Sequence, residues 1–141
     1  MEVPLKPMGK EDIRKLESAL LVMALFDKET FEAIRNPTER LTWVDSLYTA
    51  AAALARERAG MPLSKISEEI GVSEASIRKH LKGETKAGKL VLQMYEKLSK
   101  EGFKVELPEA VKESIEGFKK EIKQKIEEIE RKIEEIKKII E

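Results

Sequence analysis

The chain has no cysteine. That single absence removes disulfides, thiolate metal sites and thiol nucleophiles, and it suits an intracellular protein, with the cytoplasm as the expected compartment. Histidine is almost as scarce, His80 being the one imidazole available as base or ligand. No apolar run approaches the roughly 20 residues that cross a bilayer. The opening Glu2-Val3-Pro4-Leu5-Lys6 lacks the basic-then-apolar layout of a signal peptide, so no membrane partner is expected. Aromatic residues are only 5 % of the chain, and Trp43, Tyr48 and Tyr95 are too scattered for a base-stacking platform. Net charge is zero, so the chain as a whole does not attract nucleic acid.

What is present is lysine and glutamate. Charged residues make up 38 %, against one asparagine (Asn36) and two glutamines (Gln93, Gln124). This bias is that of hyperthermophile proteins, although long solvated helices raise the same two residues. The charge is also unevenly placed: residues 56–105 carry +4 between flanks of −2 each. A mildly basic middle is compatible with a DNA-binding core. At 141 residues and 41 % hydrophobic content, one modest core with an appendage is expected.

The periodic segments are helical. Ile13, Leu16, Leu20, Met23 and Phe26 recur at spacings of three and four, the pattern of a one-sided apolar face. Asp27 to Arg35 reads as a short turn and a brief helix. Asn36-Pro37-Thr38-Glu39 then gives a capping Asn, Pro at the first helical position and Glu three residues after the cap. That helix should run to about Ala59 and stop at Gly60. Its Ala50–Ala53 run either admits a close helix neighbour or simply favours helix. Lys89 to Lys100 predicts another helix, ended by Gly102. Phe103, Val105 and Leu107 alternate with polar residues and read as an extended linker, with no obvious partner strand.

Residues 63–82 carry the most specific pattern. Ile66 and Ile70 form the inner face of a short first helix. Gly71 stands where the chain must turn sharply, with Val72 to fill the corner and Ser73 to cap a second helix. Ile77 and Leu81, four apart, point that second helix inward, and Ser67 is small where the helices cross. The pattern resembles the helix-turn-helix of transcription regulators, whose second helix enters the major groove.

Helix geometry then nominates contacts. With Ile77 and Leu81 inward, about 100° per residue turns Ala75, Lys79 and Lys82 outward, with Ser76 nearby and Arg78 and His80 on the flanks. Ala75, Ser76 and Lys79 are the candidate base readers, Ala75 for a thymine methyl and Lys79 for guanine acceptors. Arg78 and Lys82 fall nearer phosphates, and Ser73, which caps the helix, is counted with the DNA-binding residues. Beyond it, Lys82 to Lys89 reads as a glycine-bracketed basic loop. There Thr85, Lys86 and Lys89 either grip the DNA backbone or form a plain solvated connector.

A wider resemblance runs from Trp43-Val44-Asp45-Ser46-Leu47 through Ala59-Gly60 and the motif to Lys82-Gly83-Glu84-Thr85-Lys86-Ala87-Gly88-Lys89-Leu90-Val91. Over roughly residues 40–102 the chain resembles archaeal regulatory domains found beside KaiC-like ATPases. The resemblance implies a DNA-binding regulator with a possible ATPase partner.

From Pro108 to the end the pattern is one long helix. Ile122, Ile126, Ile129, Ile133, Ile136 and Ile140 form a near-heptad stripe, joined by Ile115 and Phe118 through one break in register. The stripe either associates with another copy or folds back on the Ile13–Phe26 face. A dimer would set two recognition helices about 34 Å apart, matching successive major grooves. The acidic pairs Glu68-Glu69, Glu127-Glu128 and Glu134-Glu135 diverge by about 100° on a helix and cannot converge on a substrate or metal. With neither nucleophile nor ligand cluster legible, no catalysis, metal or cofactor is expected.

The expectation is therefore an all-α chain with a central helix-turn-helix and a long C-terminal amphipathic, coiled-coil-like helix. It divides into an N-terminal helical segment, 1–36, a DNA-binding domain, 37–106, and an association helix, 107–141. The function expected is transcription regulation by a DNA-binding dimer. The alternative is a protein-interaction adaptor that docks a partner such as a KaiC-like ATPase.

Overall fold

The computed structural model describes residues 2–107 and 109–141; the Pro108 start expected for the last helix, and Met1, lie outside them. Among the described residues there are seven α-helices and no strand, so the chain is all-α. It divides into two compact units, Met1–Glu106 and Leu107–Glu141. No helix is long and apolar enough to cross a membrane among the described residues.

The first unit is organised by its longest helix. In chain order its helices are α1 (Lys10–Leu25), α2 (Lys28–Arg35), α3 (Pro37–Arg58), α4 (Leu63–Ile70), α5 (Glu74–Leu81) and α6 (Lys86–Glu101). The start of α3 is the one its residues dictate: Asn36 accepts from the Thr38 N–H at 3.0 Å, and Pro37 follows at the first position. Every other helix of the unit packs on α3. Ala50, Ala51, Ala52, Ala53 and Ala55 are buried, so the alanine run serves close approach from several sides. Around it lie Leu16, Leu20, Leu47, Leu90, Val91 and Met94, each large side chain contributing about 1.5–3 kcal/mol by leaving water.

Three expectations change. Residues 1–36 are not a segment apart, because Leu16, Leu20 and Met23 share one core with α3 and α6. For the same reason most of the Ile13–Phe26 face is committed to the core of this unit, Phe26 alone of its five residues remaining exposed, at 38 %. Finally, α6 begins at Lys86 rather than Lys89, because Thr85 caps it: its hydroxyl accepts from the Gly88 N–H at 2.9 Å. The Phe103–Leu107 stretch forms no strand; Phe103 packs on the core and Val105 stays exposed.

The second unit is a single helix, α7 (Glu109–Ile140), 32 residues long, with no buried side chain.

Candidate nucleic-acid interface

Two short helices, α4 and α5, are joined by a turn whose geometry follows from its residues. Gly71 ends α4 at φ 78°, ψ 28°, a left-handed conformation that side chains resist. Ser67 Oγ donates to the Val72 carbonyl oxygen at 2.7 Å and pins the far side of the turn. Ser73 then caps α5, accepting from the Ser76 N–H at 3.2 Å while its hydroxyl donates to Ser76 Oγ at 3.1 Å. Ile66 and Ile77, both essentially inaccessible, pack with Ala53 of α3, and Leu63, Ile70, Val72 and Leu81 close around them. The inner face of α5 is thereby anchored to α3.

That anchoring decides which residues of α5 face outward. Ser73, Ala75, Arg78, Lys79 and Lys82 are exposed, whereas Ser76 is half-buried beside its Ser73 partner. Lys86 and Lys89 are exposed on the first turn of α6, which holds no acidic residue. Cations at a helix N-terminus oppose the helix dipole, so this placement lowers helix stability and suits an anion instead. Lys86 also reaches Glu39 at 3.1 Å, an exposed pair of small energetic weight. Five basic residues, Arg78, Lys79, Lys82, Lys86 and Lys89, are thus brought onto adjoining helix ends. Thr85 is different: its oxygen is committed to the α6 cap and to His80 Nδ1 at 2.7 Å. Its part is to position α6.

Three features escape the sequence reading. Glu74 is exposed in the first turn of α5, beside Ala75, where a carboxylate can accept from a cytosine amino group. Its signal is the acidic residue after the capping Ser73. Arg56 of α3 holds Glu17 of α1 and Glu69 of α4, each at 2.8 Å, and so ties the α4–α5 corner to the main body. Burial works against the Arg56 charge, but hydrogen bonds and attraction from the two carboxylates outweigh it and raise its pKa. Glu17 and Arg56 are 39 residues apart, so no local pattern announces the pair. The third is the seat of His80 against Thr85 and Gly88, where α5 meets α6.

Burial lowers the His80 pKa below the ordinary 6.5. The unfolded chain therefore takes up this proton at a higher pH than the folded one. Stability from this group is fully present above about 6.5 and is lost as pH falls through the folded pKa. Because His80 is the chain's one histidine, the effect is readable directly. Urea midpoints are expected to be level near neutral pH and to decline as pH drops below about 6.5. In His80→Gln that decline should vanish until carboxylates titrate; an unchanged decline would assign it elsewhere.

Comparison with known proteins finds a relative in an archaeon. Uncharacterized protein MJ1053 of Methanocaldococcus jannaschii is 49 % identical over 113 residues, covering 80 % of this chain and 69 % of that protein. Methanocaldococcus is a hyperthermophilic archaeon, in line with the lysine- and glutamate-rich, amide-poor composition. No family model matches the chain, and no solved structure does. The identity and its coverage establish the relationship: this chain belongs to the same protein family as MJ1053 of Methanocaldococcus jannaschii.

Proposed function

We propose that α4 and α5 act as a helix-turn-helix and that the chain is a cytoplasmic, non-catalytic regulator that binds duplex DNA, with α5 in the major groove. One observation carries the reading. The outward face of α5 presents Arg78, Lys79 and Lys82 beside Lys86 and Lys89 of α6, while Ile77 fixes its inner face. In this reading Glu74, Ala75 and Lys79 address base edges, Ser76 lies at their margin, and the remaining cations meet phosphates. The base-reading set is small, so affinity should come mainly from the backbone and fall with salt.

Fluorescence anisotropy on random-sequence duplex across a salt series tests this. Wild type is expected to bind at low salt and to weaken linearly in log[salt]. Arg78→Ala/Lys79→Ala should weaken binding by about tenfold or more and reduce the salt slope by about one to two. Unchanged binding in this variant would remove α5 from the interface.

One observation favours a second reading, docking of a protein partner such as a KaiC-like ATPase. Leu41, Val44 and Tyr48 form an exposed apolar line on α3, 81, 45 and 48 % accessible. Absence of DNA binding by well-folded protein at low salt would make that line the first place to look.

A further inference from the structure

The stripe on α7 can be read at the level of its heptad. Ile126, Ile133 and Ile140 take position a, and Ile122, Ile129 and Ile136 take position d. Toward the N-terminus the apolar line continues through Phe118, Ile115 and Val111 at spacings of four, three and four, with one four-residue stutter at Ile122. The seam thus runs nearly the full 32 residues of the helix. Ile122, Ile126, Ile129, Ile133 and Ile136 are 43–57 % exposed, and no side chain of α7 is buried. A lone helix of this kind gains no stability from packing, and its seam remains in water.

The residues beside the seam identify the occupant. Positions e are Lys123, Glu130 and Lys137; positions g are Lys125, Lys132 and Ile139. In a parallel assembly Lys125 faces Glu130 of the next copy, and Lys132 faces Lys137. Attraction and repulsion balance there. An antiparallel pairing centred on the stripe sets Lys132 against Lys132, Glu130 against Glu130 and Lys123 against Lys137. Lys125 faces Ile139, and wherever two charged residues meet at these flanking contacts they are of like sign, which costs specificity and stability. Isoleucine at both a and d further disfavours two strands and favours three or four. Ile139 at g widens the apolar face in the same sense.

We infer that α7 joins copies of this chain into a parallel coiled coil of three or four strands. The inference does not rest on DNA binding. It changes the assembly from the two-fold dimer expected of a palindrome reader to one that joins three or four copies of the first unit. Copies joined in this way strengthen binding through effective concentration rather than through half-site symmetry.

Sedimentation equilibrium of the full chain tests the number of strands. The expected mass is three or four times the 16.1 kDa chain, and a mass of one or two chains overturns the inference. Ile129→Lys/Ile133→Lys should sediment as a single chain, with Trp43 emission and the melting of the first unit unchanged. If that variant keeps the wild-type mass, the stripe is not the interface. Orientation is read separately with Ile140→Cys, the chain having no other cysteine. A parallel bundle brings this position together and should give disulfide-linked pairs on mild oxidation. An antiparallel one sets the two cysteines about 27 Å apart, far beyond disulfide reach, so failure to cross-link in the assembled protein overturns the parallel arrangement.

Discussion

Gly88→Ala is expected to destabilise the first unit by about 3 kcal/mol and to lower its melting temperature by roughly 12–24 °C. On an open helix surface the same change would add up to about 1 kcal/mol of stability, because alanine is the better helix former. Here the new Cβ would meet the His80 carbonyl oxygen, with His80 Cα at 2.7 Å and Thr85 Oγ1 at 2.8 Å. Two of those atoms are backbone and cannot swing aside, so α5 must move off α6. The displaced element is the one that carries Arg78, Lys79 and Lys82, so DNA affinity should fall with the fold. A thermal melt by circular dichroism decides the matter. An Ala variant as stable as wild type, or more so, would mean that α5 and α6 do not meet as closely as the glycine allows.

The second large effect lies where α1 and α2 meet the first half of α3. Thr30 is fully buried; its hydroxyl donates to the Ala24 carbonyl oxygen at 2.7 Å and accepts from Trp43 Nε1 at 2.9 Å. One side chain thus links the end of α1, the start of α2 and the first half of α3. Ala24 O has another donor in the Asp27 N–H at 3.1 Å, but among the described residues the indole N–H has Thr30 alone. Thr30→Val keeps the shape and leaves that N–H buried and unsatisfied, which should cost about 2–3 kcal/mol. Thr30→Ser keeps the hydroxyl and loses one methyl, at about 1 kcal/mol. Urea titrations followed by the single tryptophan separate the two. The Val variant should also shift Trp43 emission to the blue, since its N–H loses its partner. Equal losses in Val and Ser would show that packing, not the hydrogen bond, is what Thr30 supplies.

These two positions mark where sequence reasoning stops. The Asn36-Pro37 start of α3, its stop near Gly60, the Gly71 turn and the length of α7 are all legible, because caps, turn residues and apolar spacing act within a few residues of chain. The inward setting of Ile77 is legible for the same reason, and with it the exposure of Ala75, Lys79 and Lys82. Thr30 and Gly88 carry no such mark. A buried threonine looks like any helix threonine until Trp43, 13 residues away, is brought against it. Gly88 looks like the end of a loop until the backbone of His80 lies on top of it, inside a helix that starts at Lys86 rather than Lys89.

The sequence by itself determined the helical class, most helix ends and the outward face of α5, since these depend on local periodicity and on the conformational range of single residues. It also placed isoleucine at both core positions of α7. Tertiary structure alone decided that residues 1–36 join the main core and that Leu16, Leu20 and Met23 are buried there. It also decided that Thr85 positions α6 and that Arg56 fastens α4 to the body through Glu17 and Glu69. Each of those outcomes depends on which distant surfaces exclude water together and on which polar groups must then find partners. Neighbours in the chain carry no record of that.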